Sequence, residues 1–225
     1  GASRSDKLVL KNVEAIEFSD KVVSLEIADL YTNTPSKDNL DGGPGIDTVV
    51  YDKPISNYVV SLGVNGIEVS SANYSEGSDW LLNIERLQFK DKSLAFDVEG
   101  HAGIAAKTLG LVFGQEAVNV PKYMGICLDY LDNKQMTAAQ LMHEALAVRL
   151  GADAQIAEKV VAFLYERLTG MVPIQSEKDK YVGWITSGTY TADTLAVFAS
   201  ELALNPVVTQ LTGMATTGIA FEMPT

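Results

Sequence analysis

The feature that most constrains the fold is an aspartate that recurs every nine residues. Asp29, Asp38 and Asp47 are each followed by one variable residue and then by an apolar one, which is Tyr31, Leu40 or Val49. Such a recurrence indicates repeated turns of chain, in which the apolar position of each turn faces a shared core. Each turn then carries one carboxylate at the same place.

The third turn also contains glycines, and it completes a known pattern. Residues 42–50 are Gly-Gly-Pro-Gly-Ile-Asp-Thr-Val-Val. Glycine accepts a positive φ, so Gly43 and Gly45 can turn backbone carbonyls inward, and Asp47 adds a hard anionic oxygen. The segment matches the nonapeptide G-G-x-G-x-D-x-U-x and resembles the calcium-binding β-roll of RTX proteins, which are secreted bacterial proteins with hemolysin-type repeats.

The resemblance implies a calcium site. Calcium takes about six to eight oxygen ligands, so neighbouring turns must share an ion, and we expect about one or two ions. The implied carboxylate ligands are Asp47 and Asp38, with Asp29 as a third, while Gly43 and Gly45 shape the turn. The alternative is an ordinary glycine-rich hairpin loop whose acidic residues face solvent.

The rest of residues 1–98 favours short strands with alternating apolar and β-branched residues. Asn65-Gly66 predicts a tight hairpin turn that pairs residues 58–62 with residues 67–71. Residues 12–21 recur as residues 83–92 in the pattern N-[VI]-E-x-[IL]-x-F-x-D, and an apolar strand follows each copy. This segment resembles one that closes a β-roll, so we expect it to cover the open end. The N-terminal half is thus predicted to be a short calcium-binding β-roll, similar to a β-sandwich.

Residues 99–225 change to the helical spacing of three and four, which predicts an all-helical half and an α+β chain of two segments. Thr137 and Thr191 are expected helix starts, and Gly151 and Gly170 are expected stops. Residues 122–125 and 137–141 recur loosely as residues 180–184 and 191–198. Residues 100–212 resemble a helical domain family of unknown function, common at the C-terminal end of RTX-type proteins and similar to phycobilisome linker domains. The tail 213–225 is either part of an export signal or a last docked strand.

Composition limits the partners. The formal net charge is −12, from 29 acidic and 17 basic residues, so nucleic acid is repelled and a divalent cation is the better partner. The one cysteine, Cys127, rules out an internal disulfide and lies in an apolar stretch that favours core packing. No apolar run is long enough for a membrane span.

Patterns typical of enzymes are missing, so we expect no catalytic activity. His143-Glu144 is followed by Ala147 where a zinc-protease helix needs its second histidine, which favours a surface histidine. No G-x-S-x-G elbow, P-loop or G-x-G-x-x-G segment occurs. The aromatic residues are expected in the core rather than on a sugar-binding surface, namely Trp80, Trp184, Tyr58, Tyr74, Tyr123 and Tyr181.

The resemblance to RTX proteins, with no enzyme pattern in the sequence, implies a non-catalytic C-terminal module of a large type I-secreted protein, such as an adhesin or a surface-layer protein, at the bacterial cell surface. Calcium is scarce in the cytoplasm and abundant outside, so the acidic roll would fold on arrival. Its expected partners are calcium ions and surface-layer or other cell-surface components. Two alternatives stay open: the accessory C-terminal region of a secreted enzyme, and a helical module that anchors the chain to another surface protein.

Overall fold

The computed structural model describes residues 15–17, 22–24, 28–63, 66–72 and 77–224. The chain divides into two compact units, residues 1–91 and residues 92–225. Strands dominate the described part of the first unit and helices dominate the second, so the predicted α+β class is confirmed. The predicted division into residues 1–98 and 99–225 stays a prediction.

The first unit contains nine short strands among its described residues, and most of them belong to two sheets. In one sheet β3 and β9 both pair with β5 in parallel. In the other, β4 pairs with β8 in parallel, and β8, β7 and β6 are antiparallel neighbours. A separate antiparallel pair joins β1 and β2. The strands are β1 (Ala15–Glu17), β2 (Val22–Ser24), β3 (Leu30–Thr32), β4 (Asn39–Asp41), β5 (Thr48–Val50), β6 (Tyr58–Gly63), β7 (Gly66–Ser71), β8 (Ser78–Leu82) and β9 (Arg86–Gln88).

The nine-residue recurrence appears in the structure as three strands that alternate between the two sheets. β3, β4 and β5 begin at Leu30, Asn39 and Thr48, one after each recurring aspartate. β3 and β5 lie side by side in one sheet with Leu30 opposite Thr48, whereas β4 lies in the other sheet. The chain therefore needs two nine-residue steps to return to the same sheet.

The hairpin β6–β7 has the predicted register. Tyr58 pairs with Ser71 and Leu62 with Ile67. Residue 65 of the predicted turn lies outside the described residues. The hairpin is followed by β8, and its inward side chains Ile67 and Val69 are buried. Tyr51, Tyr58 and Phe89 form a buried aromatic group in the same unit, with ring centroids 4.9–5.4 Å apart.

The long repeat forms short strands at equivalent positions. β1 and β9 occupy the fourth to sixth residues of its two copies, 12–21 and 83–92. A strand begins directly after each copy, β2 at Val22 and β10 (Ser93–Ala95) at Ser93. The remaining residues of the first copy lie outside the described part of the chain.

The second unit contains eight α-helices and two strands among its described residues. Its apolar interior forms two clusters, one around Leu109, Met124 and Leu128 and one around Leu146 and Val160. The elements are β10, α1 (His101–Phe113), α2 (Gln115–Val118), α3 (Pro121–Leu128), α4 (Ala138–Leu150), α5 (Ala157–Thr169), α6 (Gln175–Thr186), α7 (Ala192–Ser200), α8 (Pro206–Thr217) and β11 (Ile219–Phe221).

The predicted helix ends are confirmed. The Thr137 hydroxyl accepts from Gln140 N while Gln140 Oε1 accepts from Thr137 N, which closes a capping box before α4. Thr191 caps α7 through Thr194 N. Gly151 and Gly170 follow α4 and α5 with positive φ.

The expectation that residues 99–225 are wholly helical is wrong at the C-terminus. β11 pairs with β10 in antiparallel fashion, Leu94 opposite Ala220. Directly after β11, Glu222 N donates to the carbonyl of Pro121 at the start of α3. Of the two alternatives for the tail, the docked strand agrees with this arrangement.

Candidate calcium site

The recurring aspartates occupy one structural position, the residue directly before a strand. Asp29 precedes β3, Asp38 precedes β4 and Asp47 precedes β5. Their backbones already belong to the sheets, because Thr48 N donates to the Asp29 carbonyl and Trp80 N to the Asp38 carbonyl, both at 2.9 Å. Backbone pairing therefore fixes the backbone positions from which the carboxylates extend.

Asp47 and Asp29 are brought together. Asp29 N donates to Asp47 Oδ1 at 2.7 Å, and Asp47 N in turn donates to Glu85 Oε2 at 2.9 Å. The Asp47 carboxylate thus accepts the Asp29 N–H, and the Glu85 carboxylate accepts the Asp47 N–H. Asp47 is completely buried. The sequence did not single out Glu85, because the hairpin and β8 separate it from Asp47 and break the nine-residue spacing.

Asp38 lies beside a different acidic residue. Its N–H donates to Asp79 Oδ1 at 3.0 Å, and the Tyr51 hydroxyl donates to Asp79 Oδ2 at 3.0 Å. Burial raises the pKa of Asp79, and burial together with Asp79 raises the pKa of Tyr51 above its usual range. The structure therefore groups Asp47 with Asp29 and Glu85, and Asp38 with Asp79, rather than Asp38 with Asp47.

The glycine turn before β5 has the expected backbone. Gly43 and Gly45 have φ of 75° and 150°. Gly42 is packed so closely that a Cβ there would lie 2.2 Å from the Asn83 carbonyl oxygen and 2.7 Å from Asp47 Cβ. Asp41, at the end of β4, accepts from Gly43 N and from Asn83 Nδ2 and so ties the turn to the strand connection at Asn83.

The donor set at this turn consists of oxygen atoms, which suits calcium rather than a soft metal. Asp29 Oδ2 and the Asp41 carbonyl both lie within reach of the Tyr31 hydroxyl, at 3.4 Å and 3.3 Å. Within residues 28–63, 66–72 and 77–224, no group of three or more His, Cys, Asp or Glu side chains has the arrangement of a metal site. Calcium takes about six to eight oxygen ligands, so an ion at this turn would need backbone carbonyls in addition to Asp47 and Asp29.

The other residues considered for chemistry have structural surroundings. His143 is exposed, and its Nδ1 lies 3.1 Å from Asp193 Oδ2, while His101 Nδ1 lies 2.7 Å from Asp132 Oδ1. Cys127 is buried as expected, and burial raises the pKa of its thiol to about 12, so it is a poor nucleophile. Tyr123 is 50% exposed, so its expected core position is wrong.

Comparison of the sequence with models of known protein families and with curated proteins gives no match. None of the helices in the described part of the chain is both long and apolar enough to cross a membrane.

Proposed function

We propose that the chain is a non-catalytic, calcium-binding module of a type I-secreted bacterial surface protein or adhesin, and that calcium completes the folding of its first unit outside the cell. The proposal keeps the predicted β-roll as the metal-binding element. Its residues are Asp47 and Asp29 at the glycine turn, with Gly43 and Gly45 shaping the backbone. Asp38 belongs to the opposite sheet beside Asp79 and would serve a separate ion or a structural role.

The observation that carries the proposal is the alternation of β3, β4 and β5 between two sheets at nine-residue steps. This alternation stacks every second turn, so that aspartates eighteen residues apart become neighbours, as Asp29 and Asp47 do through the Asp29 N–H and the Asp47 carboxylate. Neighbouring turns are where calcium must collect its ligands, because one turn cannot supply enough oxygens.

Charge supports the same conclusion. The chain has a net charge of −12, and Asp47 is buried beside the backbone of Asp29 with Glu85 next in line. Bringing like charges together opposes folding; the buried Arg86, directly after Glu85, supplies one positive charge, and a bound divalent cation would offset the repulsion that remains. Because calcium binds the folded state only, it would stabilise the unit by about 2.7 kcal/mol at a concentration about 100-fold above its dissociation constant.

The test is thermal unfolding with calcium against the same melt with chelator, on the wild type and Asp47→Asn. Asparagine keeps an oxygen that can accept Asp29 N and removes the charge that calcium needs. The wild type should gain roughly 5–10 °C with calcium, and Asp47→Asn should gain little. Magnesium in place of calcium should give a much smaller shift.

The matched control is Asp91→Asn. Asp91 is exposed in the same unit, and its Oδ1 also accepts a backbone N–H, from Ile55 at 2.8 Å. This variant makes the same chemical change at the same kind of hydrogen bond, so it should keep the wild-type response to calcium. Wild-type melts that superimpose with and without calcium, or a full response in Asp47→Asn, would overturn the proposal. Finding the natural protein in the cytoplasm rather than outside the cell would overturn its secreted location.

A further inference from the structure

A cavity of about 330 Å³ lies in the second unit, between three helices. α1 forms its floor, where Leu109 is buried, and α3 and α4 form its walls. The volume is that of a small-molecule site, since such pockets begin at about 300 Å³. All of its lining residues belong to the second unit.

Both walls present side chains at helical spacing, so each contributes one continuous stripe. The α3 side, with the turn that follows it, supplies Tyr123, Ile126, Cys127 and Tyr130. The α4 side supplies Leu141, Glu144, Ala145 and Val148. In both stripes the residues follow one another at three, four and seven positions, which places them on one face of the helix. The stripes therefore form two largely apolar walls of an open channel above α1.

The rim of this channel exposes large apolar groups to water. Val148 is 75% exposed, Tyr123 50% and Ile126 43%. Single exposed apolar residues are ordinary, but these three border the same cavity. Burial of this rim by an apolar ligand would remove that surface from water.

The polar character of the lining selects the charge of a ligand. Glu144, exposed at the rim, is the one charged side chain among the lining residues, and the thiol of Cys127 stays neutral because burial raises its pKa to about 12. Phe113, Tyr123 and Tyr130 supply aromatic rings, whose faces attract cations. The ring of Tyr130 already attracts one ammonium group, since Lys134 Nζ lies 4.1 Å from its centroid.

Lys134 does not reverse this preference. Its Nζ lies 2.9 Å from Asp129 Oδ2, so its charge is paired. Hydrogen bonds from Asn133 and Lys134 lower the pKa of Asp129, which keeps that carboxylate ionised as the partner. Because Lys134 already lies over Tyr130, Glu144 and the rings of Phe113 and Tyr123 are the lining groups that suit a ligand with an ammonium group and an aliphatic chain.

We propose that this cavity binds a small amphiphilic organic cation, with its aliphatic chain between α3 and α4 and its ammonium group against Glu144 and the aromatic rings. The affinity should rise with the length of the ligand's aliphatic chain. Each methylene added to the chain should tighten binding about fourfold until the cavity is full. The charge at the head should decide between ligands of equal length.

The experiment uses alkyltrimethylammonium salts and alkyl carboxylates of matched chain length, titrated below their micelle concentrations into the full ¹⁵N-labelled chain. Amide shifts give both the dissociation constant and the location. The cation should bind at least about fivefold more tightly than the carboxylate, because Glu144 attracts one head and repels the other. Shift changes should centre on α3 and α4.

Three variants test the assignment. Glu144→Gln should remove the preference for the cation while the dependence on chain length persists. Ala145→Phe should fill the channel and weaken both ligands at least tenfold. Glu158→Gln, an exposed change on α5 outside the lining, is the control and should leave binding unchanged.

Several results would overturn the proposal. One is the absence of saturable binding by the cation, and another is equal or tighter binding of the carboxylate. Shift changes that centre outside α3 and α4 would also overturn it, as would an undiminished cation preference in Glu144→Gln. Glu144 is exposed, so that variant should fold and give an answer even if Ala145→Phe does not.

Discussion

Two glycines that the internal repeat makes equivalent should respond to alanine with opposite signs. Gly125 in α3 and Gly183 in α6 end the related segments 122–125 and 180–183. A Cβ on Gly183 would meet no atom within 4 Å, whereas a Cβ on Gly125 would lie 1.7 Å from the Glu222 carbonyl oxygen. The same substitution therefore tests free helix surface at one site and a backbone contact at the other.

The expected magnitudes follow from these distances. Alanine at Gly183 gains about 0.5–1 kcal/mol because it restricts the unfolded chain and favours the helix. At Gly125 the Glu222 carbonyl would have to withdraw by 1.3 Å to restore even a tight contact of 3.0 Å, starting from 1.7 Å. Overpacking of this kind costs about 1–3 kcal/mol, which exceeds the gain in helix propensity. If the Glu222 carbonyl cannot withdraw, β11 would detach and expose Ile219 and Phe221.

The assay is thermal unfolding followed by the helical circular dichroism signal. Gly183→Ala should raise the midpoint by roughly 1–4 °C, and Gly125→Ala should lower it by several degrees. Limited proteolysis should cut the C-terminal tail of Gly125→Ala faster than that of the wild type. A rise in Gly125→Ala equal to that in Gly183→Ala would refute the reasoning, because it would mean that the Glu222 carbonyl makes room for the methyl group without cost.

Two further predictions concern buried polar residues. Burial raises the pKa of Asp79, so its contribution to stability is fully present below its unfolded pKa of about 3.9 and is lost as pH rises through the higher folded pKa. In urea unfolding, the free energy of unfolding of the wild type minus that of Asp79→Asn should therefore fall from acid to neutral pH. A difference that does not change with pH would contradict this. Asn205→Ala should lower the free energy of unfolding by about 2–4 kcal/mol, since Asn205 Nδ2 donates buried hydrogen bonds to the carbonyls of Lys107 and Ser200. Thr137→Ala, which removes an exposed helix cap, should lower it by only about 1 kcal/mol. Equal losses of the two variants in urea unfolding would argue that burial does not strengthen the Asn205 bonds.

Local signals in the sequence predicted local structure well. The β6–β7 hairpin followed from the alternation of apolar residues on both sides of the Asn-Gly pair, although Gly66 begins β7 opposite Gly63 and so lies in the strand. The starts of α4 and α7 followed from side chains that satisfy free N–H groups. In each case the deciding interaction lies within a few residues.

Partners distant in sequence were beyond such reasoning. β4 pairs with β8 and β5 with β9, so Asn39 lies opposite Trp80 and Thr48 opposite Arg86. The β6–β7 hairpin between them interrupts the nine-residue spacing, and no period remains that would point to Glu85. The cavity above α1 was equally hidden, because equivalence in the repeat suggested core positions for both Tyr123 and Tyr181, yet Tyr123 is half exposed.

A carboxylate at this position can have two roles. Asp79 accepts Asp38 N and Asp47 accepts Asp29 N, so each carboxylate satisfies the N–H of the residue directly before a neighbouring strand. A glycine with positive φ lies two residues before each of them, Gly77 and Gly45. The contacts and the glycines therefore indicate stacked turns in both sheets, and calcium binding would be a second role for the Asp47 carboxylate. Asp47→Asn divides these roles, because the amide oxygen retains the backbone contact while the charge required by calcium is gone.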